Sequence, residues 1–337
     1  MSPKKRFVLS VDPQEPPEGL AGAVVAIGNF DGVHRGHKAV IARALALARH
    51  LSRPCALLSF EPHPADFFAG KSVIFRLTSL EAKAHILARL GLDGLIALDF
   101  NSALAQLDAE SFVREVLLRR LAVSAVVVGY DFHFGAKRTG SPEFLRESGR
   151  KHGFITEIVD KISADAQGDL DAVSSTRTRQ ALEAGDVETA EALLGHPYSV
   201  VGTIIHGAKL GRTIGYPTAN IALDPSCRLK HAIYAVEVEL RGEAEAATPA
   251  QRLKGVASFG RRPTVDNGPP LLEVYIFDFS GDLYGQEIEV FFLHYLRDEA
   301  KFDGLDALLA QIRRDEAAAR AKLVHRPNQM DQADSPI

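Results

Sequence analysis

The chain is poor in cysteine, in clustered positive charge and in long apolar runs, and each shortage removes a class of protein. Two cysteines in 337 residues, Cys55 in an apolar run and Cys227 in a loop after Pro225, cannot build a disulfide framework and fit a reducing compartment. The formal net charge is only -4, and the sole basic tract is Lys4-Lys5-Arg6, so extended nucleic-acid binding is not expected. No apolar run is long enough to cross a membrane, and the N-terminus lacks the apolar core of a secretory signal, which makes the cytoplasm the default location. There is no internal repeat, no low-complexity linker and no GxxxxGK[ST], which disfavours a P-loop kinase. The sequence carries no signal of oligomeric state.

What is present is enough apolar material for two cores: 46% of the residues are hydrophobic in a chain longer than a usual single domain. In the first half, apolar runs at Ala23 to Ile27, Cys55 to Phe60, Gly94 to Leu98, Ala125 to Val128 and Phe154 to Val159 alternate with helical patterns. That rhythm predicts an α/β domain with a parallel sheet covered on both faces and ligands at the carboxyl ends of its strands. The pattern changes after Gly185. A short helix, Val187 to Leu194, stops at Gly195-His196-Pro197, and strands follow at Ser199 to Ile205, Ile233 to Leu240, Leu253 to Ser258, Leu271 to Phe279 and Glu287 to Leu296. These read as an antiparallel barrel, with Glu243 to Ala250 as an exposed hairpin loop and Leu305 to Leu323 as a C-terminal amphipathic helix. The expected division is a domain over 15-186, a second over 187-325, and a polar, disordered tail over 326-337.

The most informative segment is Gly28-Asn29-Phe30-Asp31-Gly32-Val33-His34-Arg35-Gly36-His37. It lies where the first apolar strand runs into a helix from His37 to Leu51, whose Ile41, Ala44, Leu45 and Ala48 share a face. Unpaired N–H groups and the positive end of the helix dipole favour an anion there, and Gly28, Gly32 and Gly36 let backbone and ligand come close. His34 and His37, one turn apart, can donate to phosphate oxygens. A His pair at this spacing can also bind zinc, but a third ligand is not evident nearby and neither cysteine has a metal-type spacing. A plain capping turn is the blander alternative.

This decapeptide resembles the HxGH signature of class I nucleotidyltransferases, which share a fold with class I aminoacyl-tRNA synthetases and attack the α-phosphate of ATP. Three further segments, in the same order, resemble the FMN adenylyltransferase module of bacterial bifunctional riboflavin kinase/FAD synthetases. Phe60-Glu61-Pro62-His63-Pro64 resembles the FxPHP turn, and Gly129-Tyr130-Asp131-Phe132-His133-Phe134-Gly135 the GxDFxFG segment that lines the flavin and nucleotide site. Ser174-Ser175-Thr176-Arg177-Thr178-Arg179 resembles the ISSTxIR segment, with Val173 and Thr178 in place of isoleucines. The resemblance implies a Rossmann-like domain in which Gly28, Asn29, Phe30, Asp31, Gly32, Gly36, Ser175 and Thr176 hold ATP. His34, His37 and Arg179 would stabilise the departing pyrophosphate, while Phe60, Pro62, His63, Asp131, Phe132 and Phe134 contact the flavin. Physically, Ser174 to Arg179 combines hydroxyls, orphan N–H groups at a helix start and a guanidinium fork, a set suited to a polyphosphate.

In the second half, Gly207-Ala208-Lys209-Leu210-Gly211-Arg212-Thr213-Ile214-Gly215 leads into Tyr216-Pro217-Thr218-Ala219-Asn220, a glycine- and cation-bearing loop before a Pro-fixed turn with two oxygen side chains suited to Mg²⁺. It resembles the flavokinase signature GRTIGxPTAN. The resemblance implies a six-stranded barrel in which Gly207, Lys209, Gly211, Arg212, Thr213 and Gly215 cover the ATP phosphates while Thr218 and Asn220 bind the metal. Leu272-Glu273-Val274-Tyr275-Ile276-Phe277-Asp278 alternates as a strand, with Glu273 on the face of Tyr275 and Phe277. Glu273 matches the family's general base for the ribityl 5′-hydroxyl, and partial desolvation beside aromatic surface would raise its proton affinity. Gly255 to Thr264, Gly281-Asp282-Leu283-Tyr284-Gly285 and Leu296-Arg297-Asp298-Glu299-Ala300-Lys301-Phe302 also resemble flavokinase segments, Arg297 as a flavin contact. Ser258-Phe259 and Ala232 depart from the family's usual Asn-Ile and glycine.

The expected protein is a bifunctional enzyme with riboflavin, FMN and ATP as its partners, Mg²⁺ beside the phosphates, and neither nucleic acid nor membrane among its contacts. The alternatives are a single-activity enzyme with one decayed module, or a non-catalytic flavin sensor. A sensor would have no need of Thr218 and Asn220 together with His34 and His37.

Overall fold

A computed structural model describes residues 6–160, 173–206, 211, 214–241, 252–260 and 270–324. The chain divides into two compact units, Met1–Ser175 and Thr176–Ile337. The expected hairpin loop Glu243 to Ala250 and the tail 326-337 lie outside the described residues.

The first unit is built on an all-parallel six-stranded sheet of order β1-β4-β3-β2-β5-β6. Its strands are β1 Val8–Val11, β2 Val24–Ile27, β3 Cys55–Glu61, β4 Gly94–Asp99, β5 Ala125–Gly129 and β6 Ile155–Val159. The central β2 is Val-Val-Ala-Ile with every residue buried, as a strand covered on both faces requires. One face packs Val25, Ile27, Leu58, Ile96 and Val128 against Phe112, Val116 and Leu145. The other packs Val24, Ala26, Leu57 and Val127 against Ile41, Ala44 and Leu87. The helices are α1 Arg35–Leu51, α2 Pro64–Ala69, α3 Leu80–Arg89, α4 Ser102–Gln106, α5 Ala109–Ser111 and α6 Pro142–His152, and α5 runs directly into a π-helix, Phe112–Arg120. The expected five strands are all present. The sixth, β1, is a four-residue edge strand paired only with β4, too short and half-exposed to stand out as an apolar run.

The second unit opens with α7 Ser175–Ala184 and α8 Val187–Leu194 and closes with α9 Leu305–Val324. Between them β7 Tyr198–Ile205, β8 Ala219–Ala222, β9 Ala232–Arg241, β10 Leu253–Gly260, β11 Leu271–Ile276 and β12 Glu287–Asp298 form a closed antiparallel barrel, β10-β11-β8-β7-β12-β9. Leu272, Val274, Tyr234, Val236, Val290 and Phe292 are buried at alternate positions on one set of faces. Ile233, Ala235, Val256, Phe291 and Leu293 face the other way and pack against Ala319 and Leu323 of α9. β8 was not among the expected strands, since its four residues sit inside the segment read as a ligand loop. β11 also ends earlier than expected, at Ile276, two residues before Asp278 turns the chain with φ +55°.

Candidate functional site

In the first unit the decapeptide joins β2 to α1, and its backbone is strained. Phe30 and Val33 adopt φ of +47° and +43°, and Val33 is β-branched and wholly buried. Such conformers cost about 1–3 kcal/mol each and persist only where surroundings over-determine them. Here the fastening is the Asp31 carboxylate, which is buried and accepts from Leu77 N (3.0 and 3.2 Å), Thr78 N (3.1 Å) and the Thr78 hydroxyl (3.3 Å). Gly32 N donates back to Thr78 Oγ1 (3.2 Å), and the Ser175 hydroxyl donates to the Asp31 carbonyl (2.9 Å). Asp31 therefore shapes the loop from within.

His34 is the N-cap of α1: its Nδ1 accepts from His37 N at 3.2 Å. With Nδ1 an acceptor, a neutral His34 carries its proton on Nε2, an N–H free of the capping duty. The His34 and His37 rings stack with centroids 3.5 Å apart and planes 11° from parallel. Gly36 makes that stack possible, because a Cβ there would lie 3.2 and 3.3 Å from His34 ring atoms. His37 Nδ1 is buried with no hydrogen-bond partner among the described residues. Burial, then the neighbouring His34 and Lys83, hold the His37 imidazole well below its ordinary 6.5, so it is neutral at pH 7.

The second segment meets the first directly. The Asn29 side-chain amide is 3.2 Å from His63 Nε2, and His63 Nδ1 accepts from Ala65 N at 3.1 Å, capping α2. Pro62 is exposed, after a cis bond from Glu61. The aromatic residues of the second and third segments form a continuous wall. Phe60 meets Phe100 edge-on at 5.8 Å and Phe112 at 6.4 Å; Phe112 meets Phe134 at 5.2 Å, and Phe134 stacks on Phe132 at 5.6 Å and 14°. Phe60 and Phe134 belong to the core, whereas Phe132 is half-buried and Asp131 exposed. Thr176 and Arg179 lie in α7, in the second unit.

One residue of the first unit gave no sequence signal. Lys83, in the first turn of α3, is only 3% exposed, and its Nζ donates to the Asn29 carbonyl and the Ser59 hydroxyl, each at 2.9 Å, and lies 3.5 Å from Glu61. In the pattern Leu-Glu-Ala-Lys-Ala-His it reads as an ordinary solvated position.

In the second unit, strand register does the assembling. β8 and β11 pair antiparallel with Asn220 opposite Glu273, and β10 places Ser258, one of the family departures, on Glu273's other side. Directly opposed residues share a face, so the metal-type amide and the carboxylate are neighbours. Glu273 shares that face with Tyr275, while Phe277 lies past the strand end in the apolar cluster against α9. Asn220 is buried and its amide donates to the Thr218 carbonyl at 3.2 Å. Thr218 borders an open pocket with Pro217, Ala219, Val274, Ile276 and Tyr284. The preceding turn closes tightly: the Gly211 carbonyl accepts from Ile214 N (3.2 Å) and Tyr216 N (2.8 Å), and a side chain at 211 would collide with the Tyr216 carbonyl. Gly215 completes it with φ +84°. Gly207, Lys209, Arg212 and Thr213 lie outside the described residues, as do Arg261 to Thr264. Arg297 aims its fork at Asp315 of α9 (2.9 and 2.6 Å), tying β12 to the helix, with its guanidinium 5.9 Å from the Phe302 ring. Ala232, the other departure, is wholly buried opposite Phe259.

The hydroxyl of Thr218 and the amide oxygen of Asn220 are hard donors suited to Mg²⁺. Among the described residues no group of three or more His, Cys, Asp or Glu is arranged to hold a metal ion, and no helix is long and apolar enough to cross a membrane.

Comparison with known proteins agrees with this division. Residues 17–177 match the FAD synthetase family and residues 194–323 the riboflavin kinase family. The bifunctional riboflavin kinase/FMN adenylyltransferase of Haemophilus influenzae is 41% identical over 90% of this chain and 94% of its own; that of Listeria monocytogenes is 39% identical over 88% and 91%. A crystal structure described as a macrolide-efflux protein from Streptococcus pneumoniae superposes with TM-score 0.76 at 31% identity, covering 93% of this chain and 99% of that one. The efflux name belongs to that protein, and the likeness to this chain is one of sequence and fold.

Proposed function

The chain belongs to the bifunctional riboflavin kinase/FMN adenylyltransferase family, and from that premise we propose how its residues divide the work. The enzyme phosphorylates riboflavin to FMN with ATP and adenylylates FMN to FAD.

In the kinase step Glu273 takes the proton of the ribityl 5′-hydroxyl as that hydroxyl's oxygen attacks the γ-phosphorus, and the bond from the γ-phosphorus to the bridging oxygen breaks to release ADP. Thr218 and Asn220 are the residues that would hold Mg²⁺, which would offset the charge of the ATP phosphates. By resemblance to the family segments, Gly207, Lys209, Gly211, Arg212, Thr213 and Gly215 cover ATP and Arg297 contacts the flavin. What supports this assignment is the register that sets Asn220 opposite Glu273.

In the adenylyl step the FMN phosphate is already a competent nucleophile, so no protein base is needed and catalysis rests on alignment and charge stabilisation. The N-terminus of α1 takes triphosphate oxygens, and Gly28, Asn29, Phe30, Asp31, Gly32 and Gly36 shape the loop that borders it. His34 donates from Nε2, and His37, neutral before the nucleotide arrives, offers its ring to the charge that develops on the leaving pyrophosphate. Ser175, Thr176 and Arg179 complete the phosphate contacts by resemblance to the family segment. Phe60, Pro62, His63, Asp131, Phe132 and Phe134 line the flavin side. The observation that carries this reading is the stacked histidine pair at a helix N-terminus.

We place the enzyme in the cytoplasm. Both cysteines are free thiols, and burial pushes Cys55 up to about 12, leaving it inert. Incubating the purified chain with riboflavin, ATP and Mg²⁺ and separating the flavins tests the whole proposal. Both FMN and FAD must accumulate; FMN alone would refute the adenylyl site, and neither product would refute both.

A further inference from the structure

Lys83 does something that packing alone does not call for. An ammonium withdrawn from water is costly unless every donor is matched, and an apolar side chain of similar length would fill the same space more cheaply. Here the donors are matched, and all the acceptors sit at the two ends of strands that carry the adenylyl-transfer segments. The Asn29 carbonyl (2.9 Å) belongs to the decapeptide after β2; the Ser59 hydroxyl (2.9 Å) and Glu61 carboxylate (3.5 Å) belong to the end of β3 that leads into Pro62 and His63. Ser59 also donates to the Asn29 carbonyl (3.2 Å), closing a triangle, and Arg76 holds the far side of Glu61 at 2.5 Å.

We infer that Lys83 is a positioning residue of the adenylyl-transfer site, its ammonium clamping the Asn29 carbonyl of the histidine loop to Ser59 and Glu61 of the turn that bears His63. The inference rests on the reading of that loop as the adenylyl site. Together with the Asp31 fastening to Leu77 and Thr78, just ahead of α3, the clamp holds both ends of the Asn29-to-Asp31 stretch before any ligand arrives. Burial lowers the proton affinity of Lys83 while Glu61 and Asp31 raise it, and in its protonated form it sets a positive charge near His37. The titratable groups bearing on His37 are His34 in its own cap and Lys83 across from α3; those bearing on Lys83 are Glu61, Asp31 and Arg76.

The test uses the full-length chain, with calorimetric unfolding as the control for folding of the first unit and riboflavin kinase activity as the control for the second. Lys83→Met keeps the length and removes the charge. Its adenylyltransferase kcat should fall by about 100-fold with KM for ATP changed by no more than about threefold, since a misaligned loop harms the transition state more than ground-state binding. In the same variant the His37 ring, followed by NMR titration, should titrate at higher pH than in the parent, because a neighbouring cation has gone. A kcat equal to the parent's, or a lowered kcat with an unmoved His37 titration, would overturn the proposal. Should Lys83→Met also lose kinase activity and fail to fold, Ser59→Ala removes one acceptor only; an adenylyltransferase rate unchanged there overturns it equally. His37→Ala run alongside separates the two failures: if FAD synthesis survives that change, the site reading itself has fallen.

Discussion

The two units assemble their proposed polyphosphate sites from opposite starting points. In the first, the proposed phosphate groups at the helix start are contiguous in sequence: strand, glycine-bearing loop, histidine cap and helix follow one another through and beyond the decapeptide, and tertiary contacts from Asp31 and Lys83 tighten it. In the second, Asn220 and Glu273 lie far apart along the chain and are neighbours solely because β8 and β11 pair in one register. A loop site fails by local distortion; a register site fails when its strands misalign, because a slip of one residue turns every side chain to the other face.

The largest expected effect sharpens that contrast from the barrel side. Glu273→Gln should lower FMN formation by roughly 1,000-fold, the range for a general base, with FAD formation from supplied FMN unchanged. Flavin product analysis checks it, and loss of both products would end the idea that the two chemistries are separate. The mirror-image change, His37→Ala, should cost FAD formation about 100-fold while sparing FMN, as expected for one donor to developing charge. Next comes Gly36→Ala, which tests whether the loop tolerates even a methyl group. Its Cβ would press on the His34 ring at 3.2 Å, and a shift of a few tenths of an ångström should slow FAD formation about tenfold. The same change favours helix, so thermal stability should hold or rise as activity drops. The smallest effect is Ser79→Ala, which removes the cap of α3 made to Ala82 N at 3.1 Å and should cost ~1 kcal/mol in calorimetry of the first unit.

How much of this was readable beforehand follows the same divide. The histidine loop was legible because its signal is local: apolar strand, glycines, imidazoles and helix in a fixed order. The alternation of apolar runs likewise announced the parallel sheet, and the change of pattern after Gly185 the barrel. Glu273 was found through family resemblance; from residues alone it is one more strand glutamate, and its partnership with Asn220 is a fact of register. Lys83 was illegible for a different reason. Its helix shows an amphipathic pattern in which a lysine belongs outside, and only the packing of α3 across the ends of β2 and β3 turns it inward. Asp31 stood among the expected ligand contacts by position, yet its carboxylate accepts from Leu77 and Thr78. The strands β1 and β8 are four residues each and only partly buried, whereas β2, equally short, is buried throughout and stands out as an apolar run.

The ring of the second unit has no first or last strand, whereas the parallel sheet of the first does, at β1 and β6. On β1, Leu9 and Val11 are exposed, and on β6 so is Ile155. An incoming chain that polymerises by adding backbone to backbone finds a free row of N–H and C=O groups at such margins and none in a closed ring. A charge introduced at Val11 should accordingly slow aggregation at high concentration, followed by light scattering, more than one placed on a barrel strand.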